Sequence, residues 1–301
     1  MVDMINQEKT KAGYIAVVGR PNAGKSTLLN YLVGEKLAMV SHKAQATRKR
    51  MNIIVMYENA QLIFVDTPGI HHQEKLINQF MLEEALKAMG DSDLILFLMP
   101  VTDKLDEYKQ FLQLESTKER KHIVLLTKVD TVSNDKVLKK LMELNEFSDK
   151  FSSIIPWSIK HKSKKDILFS EISKYLPESP FLYETEYTTT NHIRDIYKEF
   201  IREALFDAFS DEIPYESDVV ITKIFEEDTL DKVYATIIVE KETQKGIIVG
   251  KKGDDIKRLS ILARKKLELF SQKKIYLELH ISVKKGWSKS RETLEEIGYL
   301  F

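Results

Sequence analysis

The run Gly19-Arg20-Pro21-Asn22-Ala23-Gly24-Lys25-Ser26-Thr27 leaves this chain few ways to fold. Ahead of it, Tyr14 to Val18 is a short apolar, β-branched segment of the kind buried as a strand. Behind it, Leu28, Leu29, Leu32 and Val33 recur at helical spacing. Strand, glycine turn and helix, in that order, supply the context that G-x-x-x-x-G-K-[ST] needs to act as a phosphate cradle. Gly19 and Gly24 let the backbone turn tightly and aim its N–H groups at phosphate oxygens. The helix start adds the positive end of its dipole. Lys25 has the reach for β- and γ-phosphates, and the Ser26 hydroxyl suits Mg2+.

Alternation of strands and helices continues from there. Residues 51–57 and 61–66 read as strands, the second ending on Asp66. A helix over 79–89, a buried strand over 94–99 and a helix over 103–117 follow. Next comes a strand over 122–126, running into Thr127-Lys128-Val129-Asp130. A helix over 135–147, a strand over 153–157 and a helix over 166–175 complete the pattern. Such alternation predicts a mostly parallel α/β sheet covered on both faces, with ligands at the carboxyl ends of its strands. Pro177-Glu178-Ser179-Pro180 closes this region. The expected division is a nucleotide domain over 1–178, a linker over 179–190 and a second domain over 191–301.

Two further segments at strand ends carry chemistry. In Asp66-Thr67-Pro68-Gly69 the acid can hold Mg2+ through water, and the Gly69 N–H can touch a γ-phosphate. In Thr127-Lys128-Val129-Asp130 the carboxylate is acceptor-only. Guanine presents N1–H and a 2-amino group side by side, so Asp130 can bind it through both oxygens. Adenine would leave that carboxylate unpaired. The Lys128 stem can lie along the base. The three motifs in this order resemble the translation-factor branch of the GTPases.

That resemblance implies more. Thr127 stands where most relatives have Asn, and Ser158-Ile159-Lys160 occupies the place of a further base-contacting loop, with Ser158 its candidate residue. Within Lys43-Ala44-Gln45-Ala46-Thr47-Arg48, Thr47 is the expected switch threonine completing the Mg2+ shell. Ile70 follows Gly69 where Ras-like enzymes place a water-positioning Gln, so slow turnover is expected, and none of His71, His72 or Gln73 is assigned as a base. Missing positive charge is expected from elsewhere. By resemblance to GTPases with Gly-x-Pro-Asn in this loop, Asn22 is a ligand for K+ bridging the phosphates. Lys25, Asn22, Thr47 and Gly69 are thus the expected catalytic set.

Beyond residue 191 the order changes. An unbroken apolar stripe over 193–209 predicts a packed helix. Strands over 218–225 and 233–239, a glycine loop, a helix over 254–270 and a strand over 275–283 follow. The loop is Gly250-Lys251-Lys252-Gly253, preceded by Ile247, Ile248 and Val249 and followed by Lys257 and Arg258. Its glycines admit a nucleic-acid backbone and its lysines neutralise phosphates, while the three apolar residues would floor a groove for unstacked bases. Lys284 and Lys285, with Arg264 and Lys265, extend the basic surface. The whole chain carries 46 basic and 46 acidic residues, yet from Gly246 onward 13 Lys/Arg face 7 Asp/Glu. This α+β module resembles the type II KH domain, which implies RNA binding.

A GTPase fused to a C-terminal KH domain resembles the bacterial Era family. Further matches are Gln45-x-Thr47-Arg48, Asp211-Glu212-Ile213-Pro214-Tyr215-Glu216 and Lys284-Lys285-Gly286-Trp287. The family implies hydrolysis of GTP to GDP and binding of the 3′ end of small-subunit ribosomal RNA. It also implies a role in assembling that subunit, and peripheral contact with the cytoplasmic membrane. Absence of cysteine excludes disulfides and thiolate metal sites. The N-terminus lacks a signal-peptide pattern, and no apolar run approaches the ~20 residues of a membrane span. A cytoplasmic monomer is expected. A membrane-acting GTPase would want an amphipathic helix with apolar anchors, which is not found. An RNA-binding scaffold holding GTP structurally stays open because of Ile70, whereas a P-loop kinase has no use for Thr127 to Asp130.

Overall fold

The computed structural model describes residues 9–39, 47–69, 76–114, 117, 120–210 and 212–299. Gln45, Ile70, His71, His72, Gln73 and Asp211 lie outside them. The chain divides into two units. The first comprises Met1–Glu35, Arg50–Ile70 and Glu83–Thr190; the second comprises Lys36–Lys49, His71–Leu82 and Asn191–Phe301.

The first unit is a six-stranded sheet. Its strands are β1 (Lys11–Val18), β2 (Met51–Tyr57), β3 (Ala60–Asp66), β4 (Leu94–Pro100), β5 (His122–Thr127) and β6 (Ser153–Pro156). Their order is β2-β3-β1-β4-β5-β6. All neighbours run parallel except β2, which pairs antiparallel with β3 at the edge. Only Glu58 and Asn59 join β2 to β3, and so short a connection cannot cross over to a parallel partner. β3, β4 and β5 are buried along their whole length, which is why they read as continuous apolar runs. Helices α1 (Lys25–Val33), α3 (Leu105–Leu112), α4 (Asn134–Asn145) and α5 (Lys165–Ser173) belong here, with α2 (Leu76–Asp91) from Glu83 onward. One face of the sheet carries a core of Phe97, Tyr108, Phe111, Val124 and Leu144.

Two expectations change. The helix read over 103–117 spans only Leu105–Leu112, because Asp103 closes a turn onto the Pro100 carbonyl and turns its side chain to other use. The expected linker over 179–190 is bound along the first unit. Buried Gln61 accepts from the Leu182 and Tyr183 N–H groups at 2.8 and 3.0 Å and donates to the Tyr183 carbonyl at 2.8 Å. The Ile54 N–H donates to the Thr188 carbonyl at 2.9 Å. A buried amide with its polar atoms partnered by backbone holds a segment in place.

The second unit holds α6 (Ile193–Ala208), β7 (Ser217–Phe225), β8 (Leu230–Val239), α7 (Glu242–Val249), α8 (Asp254–Ser271), β9 (Lys274–Val283) and α9 (Arg291–Glu296). β7 and β8 are antiparallel, β8 and β9 parallel. The apolar stripe of α6 becomes a buried face of Ile196, Phe200, Ile201, Ala204 and Leu205. The sheet's other face carries a second core formed by Ile238 with Ile77, Phe80, Trp287, Leu294 and Tyr299. Helix α7 stands directly before the glycine turn, which therefore joins two helices as expected.

Candidate functional site

In the first unit, the sequence-predicted nucleotide residues meet at the carboxyl ends of β1, β3, β5 and β6. The loop from Gly19 to Gly24 joins β1 to α1, and Gly24 opens the helix with φ 103°. Thr67 Oγ1 donates to the Val17 carbonyl at 2.7 Å and pins the Asp66–Gly69 turn to the end of β1. A Cβ on Gly69 would stand 2.8 Å from the Pro21 nitrogen, so only glycine lets these two backbones approach. Ser26 Oγ donates to the Asp66 carboxylate at 2.9 Å. Two hard oxygen donors side by side at a helix N-terminus fit Mg2+.

Lys25 lies buried at the base of the loop, donating to the Gly19 carbonyl at 3.0 Å and the Arg20 carbonyl at 3.3 Å. Burial pushes its pKa down to about 8; Asp66 opposes that shift and Arg20 reinforces it. The sign of the consequence is fixed. A phosphate bound beside the ammonium favours its charged form, so nucleotide binding takes up a proton once the free lysine has begun to lose its own. GTP affinity should therefore fall as pH rises from about 7 to about 9, with proton uptake measured by calorimetry in buffers of different ionisation enthalpy. An affinity flat across that range would remove this account of Lys25.

The residues expected to meet the base, Thr127, Lys128, Asp130 and Ser158, lie together. Thr127 Oγ1 donates to the Ala23 carbonyl at 3.0 Å, tying β5 to the phosphate loop. The shorter residue thus fills the place of the expected Asn by fastening one part of the site to another. Lys128, at φ 58°, donates from Nζ to the Asn22 carbonyl at 2.8 Å. Val129 donates its N–H to the Trp157 carbonyl at 3.4 Å, which brings the loop after β6 alongside. There Ser158 Oγ accepts from the His161 N–H at 3.0 Å and donates to Asp130 at 2.6 Å. That bond is the largest of the influences holding the Asp130 carboxyl below its ordinary range. Pro68 and Ala23 are buried, Asn22 and Thr27 exposed.

One residue of this unit has a task its sequence does not announce. Arg20 does not point its guanidinium at a ligand; it pairs with both Asp103 oxygens, at 2.5 and 2.7 Å, and reaches the Pro21 carbonyl at 3.0 Å. The fork locks the loop to the end of β4, leaving the Arg20 backbone for phosphate. An acid just past the end of a buried strand is the only sequence signal for Asp103.

In the second unit, α7 ends at Gly250, φ 72°, and α8 begins after Gly253, with Lys252 between them at φ 57°. A Cβ on Gly250 would come 2.7 Å from the Asp255 Cβ. Lys251, Lys252, Lys257 and Lys285 are exposed. Arg258 pairs with Asp255 at 3.3 Å and donates to the Ala208 carbonyl, and Lys284 pairs with Glu296 at 2.8 Å. The expected apolar floor is corrected: Ile248 is wholly buried in the core, while Ile247 is half exposed and Val249 partly so. Successive helical residues point about 100° apart, so three in a row cannot share one face. Thr47 is partly buried and belongs to this unit's Lys36–Lys49 segment. Among the described residues, no cluster of His, Asp or Glu could hold a metal by itself, and no helix is long and apolar enough to cross a membrane.

These features define a P-loop GTPase domain followed by a KH domain. Residues 14–128 match the family described as 50S ribosome-binding GTPase, and residues 212–288 match the KH domain family. The chain belongs to the Era GTPases. It is 51% identical over 297 residues to GTPase Era of Helicobacter pylori strain G27, covering 97% of this chain and 98% of the relative. It is 44% identical to GTPase Era of Campylobacter fetus, covering 97% and 100%. Among solved structures, an Aquifex aeolicus Era variant bound to GDP and AlF4− superposes with TM-score 0.91 at 32% identity, over 97% of this chain and all of the other. Era in complex with MgGDPNP and nucleotides 1506–1542 of 16S ribosomal RNA matches with the same values.

Proposed function

We propose that this GTPase binds the 3′ end of 16S-type ribosomal RNA through its KH domain in the cytoplasm and assists assembly of the small subunit. The observation that carries the RNA reading is the turn between α7 and α8. Gly250 and Gly253 keep its backbone bare while Lys251 and Lys252 stand exposed. The similar Era complex with RNA supports it. The direct test is titration of the purified chain with RNA spanning nucleotides 1506–1542. Affinity that falls with salt is expected; an RNA that fails to bind at low salt would end the proposal.

On the nucleotide side, the phosphate loop's N–H groups and Lys25 hold the β- and γ-phosphates, and the Gly69 N–H meets the γ-phosphate. Ser26 and, through water, Asp66 would hold Mg2+, which when bound would neutralise charge developing on the phosphate oxygens. Asp130, steadied by Ser158, pairs with guanine. Arg20 and Thr127 act by fixing the loop.

Asn22 is exposed at the loop's tip with φ 62°, beside the phosphates the loop would cradle. We assign it as a ligand for K+, which would add positive charge at the phosphates, since Arg20 is paired with Asp103 and Lys128 is turned to the Asn22 carbonyl. Replacing K+ with Na+ at equal ionic strength should slow GTP turnover several-fold, and Asn22→Ala should abolish the difference. Single-turnover rates that are equal in both salts would reject the assignment.

A further inference from the structure

The loop after β6 is fastened at more points than a contact with a base requires. Lys160, His161 and Lys162 at its tip are exposed, so apolar packing does not fix them. Lys162 also takes a left-handed backbone at φ 50°, which a residue other than glycine adopts only where its surroundings hold it there. Hydrogen bonds do the holding. The Ser158 N–H donates to Ser163 Oγ at 2.9 Å, and the Ser163 N–H returns to the Ser158 carbonyl at 3.0 Å. The two serines clasp the loop shut at its base.

Ser158 is 1% exposed, and the clasp decides more than its place. A hydroxyl has one hydrogen to give and lone pairs to accept with. The His161 N–H, brought round by the closed loop, occupies a lone pair of Ser158 Oγ at 3.0 Å. The single hydrogen is then left for Asp130 Oδ1, at 2.6 Å. Closing the loop therefore aims the hydroxyl as well as locating it.

The clasp is fastened in turn to α1. From that helix the Tyr31 hydroxyl donates to the Ser163 carbonyl at 3.0 Å. Both shoulders of the loop touch the same ring: Trp157 packs edge-on with centroids 6.3 Å apart, and the Lys165 ammonium lies 4.9 Å from its centroid. Lys165 also donates to the Leu32 carbonyl at 3.1 Å. A tyrosine gripped in this way has its hydroxyl aimed, and it is aimed at the clasp. Because α1 begins at the phosphate loop, this bond sets the Asp130 carboxylate against the phosphate cradle, all within the first unit.

We propose that Tyr31 and Ser163 are positioning residues for base recognition: by holding Ser158 they fix the rotation of the Asp130 carboxylate, and so set how sharply the site separates guanine from a purine that lacks the 2-amino group. This rests on the reading of Asp130 as the guanine partner given above. A carboxylate free to turn can still accept one hydrogen bond, whereas accepting two from adjacent donors requires both oxygens in the plane of the base. Hypoxanthine keeps the N1–H and lacks the amino group, so it asks only for the first.

The test is the affinity of the full chain for GTP and for ITP, measured by fluorescence competition at one Mg2+ concentration. The parent should prefer GTP by about tenfold or more, since ITP leaves one carboxylate oxygen short of a donor. Tyr31→Phe keeps the ring between Trp157 and Lys165 and removes only the hydroxyl. It should lower that preference by about threefold, with GTP weakened more than ITP. Ser163→Ala should do the same, and Ser163→Thr, which keeps a hydroxyl, should retain the parental ratio. Residues that only support the fold would weaken both nucleotides together and leave the ratio where it was. If Ser163→Ala melts too early to titrate, Tyr31→Phe carries the measurement alone. A parental ratio in the folded Tyr31→Phe variant overturns the proposal and leaves the reading of Asp130 standing. A parent that binds GTP and ITP alike overturns the reading of Asp130 itself, and the proposal with it.

Discussion

Asp130→Asn should convert this GTPase from a GTP-binding protein into one that prefers XTP. The parent carboxylate offers acceptors only, and the Ser158 hydroxyl that donates to it at 2.6 Å is itself oriented by accepting from the His161 N–H. The group is thus ionised and aimed before any nucleotide arrives. Guanine meets it with two donors. An asparagine keeps one acceptor but turns an amide N–H group toward one of those donors, leaving both unpaired at a desolvated edge. Such a mismatch costs on the order of 3 kcal/mol, so GTP should bind about a hundredfold more weakly. Xanthine carries a carbonyl where guanine has its amino group, and that carbonyl accepts from the new amide. Affinities for both nucleotides by fluorescence titration decide the matter: an Asn variant with parental GTP affinity would mean that Asp130 does not read the base. Ser158→Ala, which removes the orienting bond but no base contact, should weaken GTP by only a few-fold.

The parts of this site that can be read in the sequence are those whose chemistry is packed into a few consecutive residues. Gly19 to Thr27 has to be one short run, because a phosphate cradle is made of successive backbone N–H groups. The buried strands are legible for a similar reason, since β3, β4 and β5 are buried along their whole length and each carries a consecutive apolar run. What escapes depends on partners distant in sequence. Arg20 and Asp103 are 83 residues apart, and nothing local distinguishes their fork from two solvated charges. Asp103 reads as helical because acids favour first turns, whereas its partner holds it just before the helix. Gln61 looks like a polar break in an apolar strand until the carbonyl and N–H groups near residue 183 are brought to it. Ile248 groups with its neighbours because they are alike in composition; the helix that separates their faces is short and has no apolar periodicity to announce it.

The remaining large effect concerns RNA. Changing Lys251 and Lys252 together to Asp should nearly abolish binding of the ribosomal segment while leaving GTP affinity unchanged. Both lysines are exposed on a turn whose backbone is set by Gly250, Lys252 and Gly253 at positive φ. They have no part in holding the second unit's core, so the variant should fold. Aspartate at position 252 is tolerable, because short acidic residues adopt left-handed backbone more readily than most. The substitution removes two cations and places two anions where phosphates would approach, turning attraction into repulsion. Every phosphate that is no longer neutralised lowers the slope of log affinity against log salt by roughly 0.7 for a single strand, so two should reduce it by about 1.4. This flattening separates the loop from a general effect of net charge. Lys257→Asp and Lys285→Asp, exposed but outside the glycine turn, alter overall charge in the same sense and should cost less. If the double variant binds RNA with parental affinity and slope, the turn between α7 and α8 is not where RNA docks. If all four substitutions weaken binding alike, the basic C-terminal surface attracts RNA without the loop that would grip it.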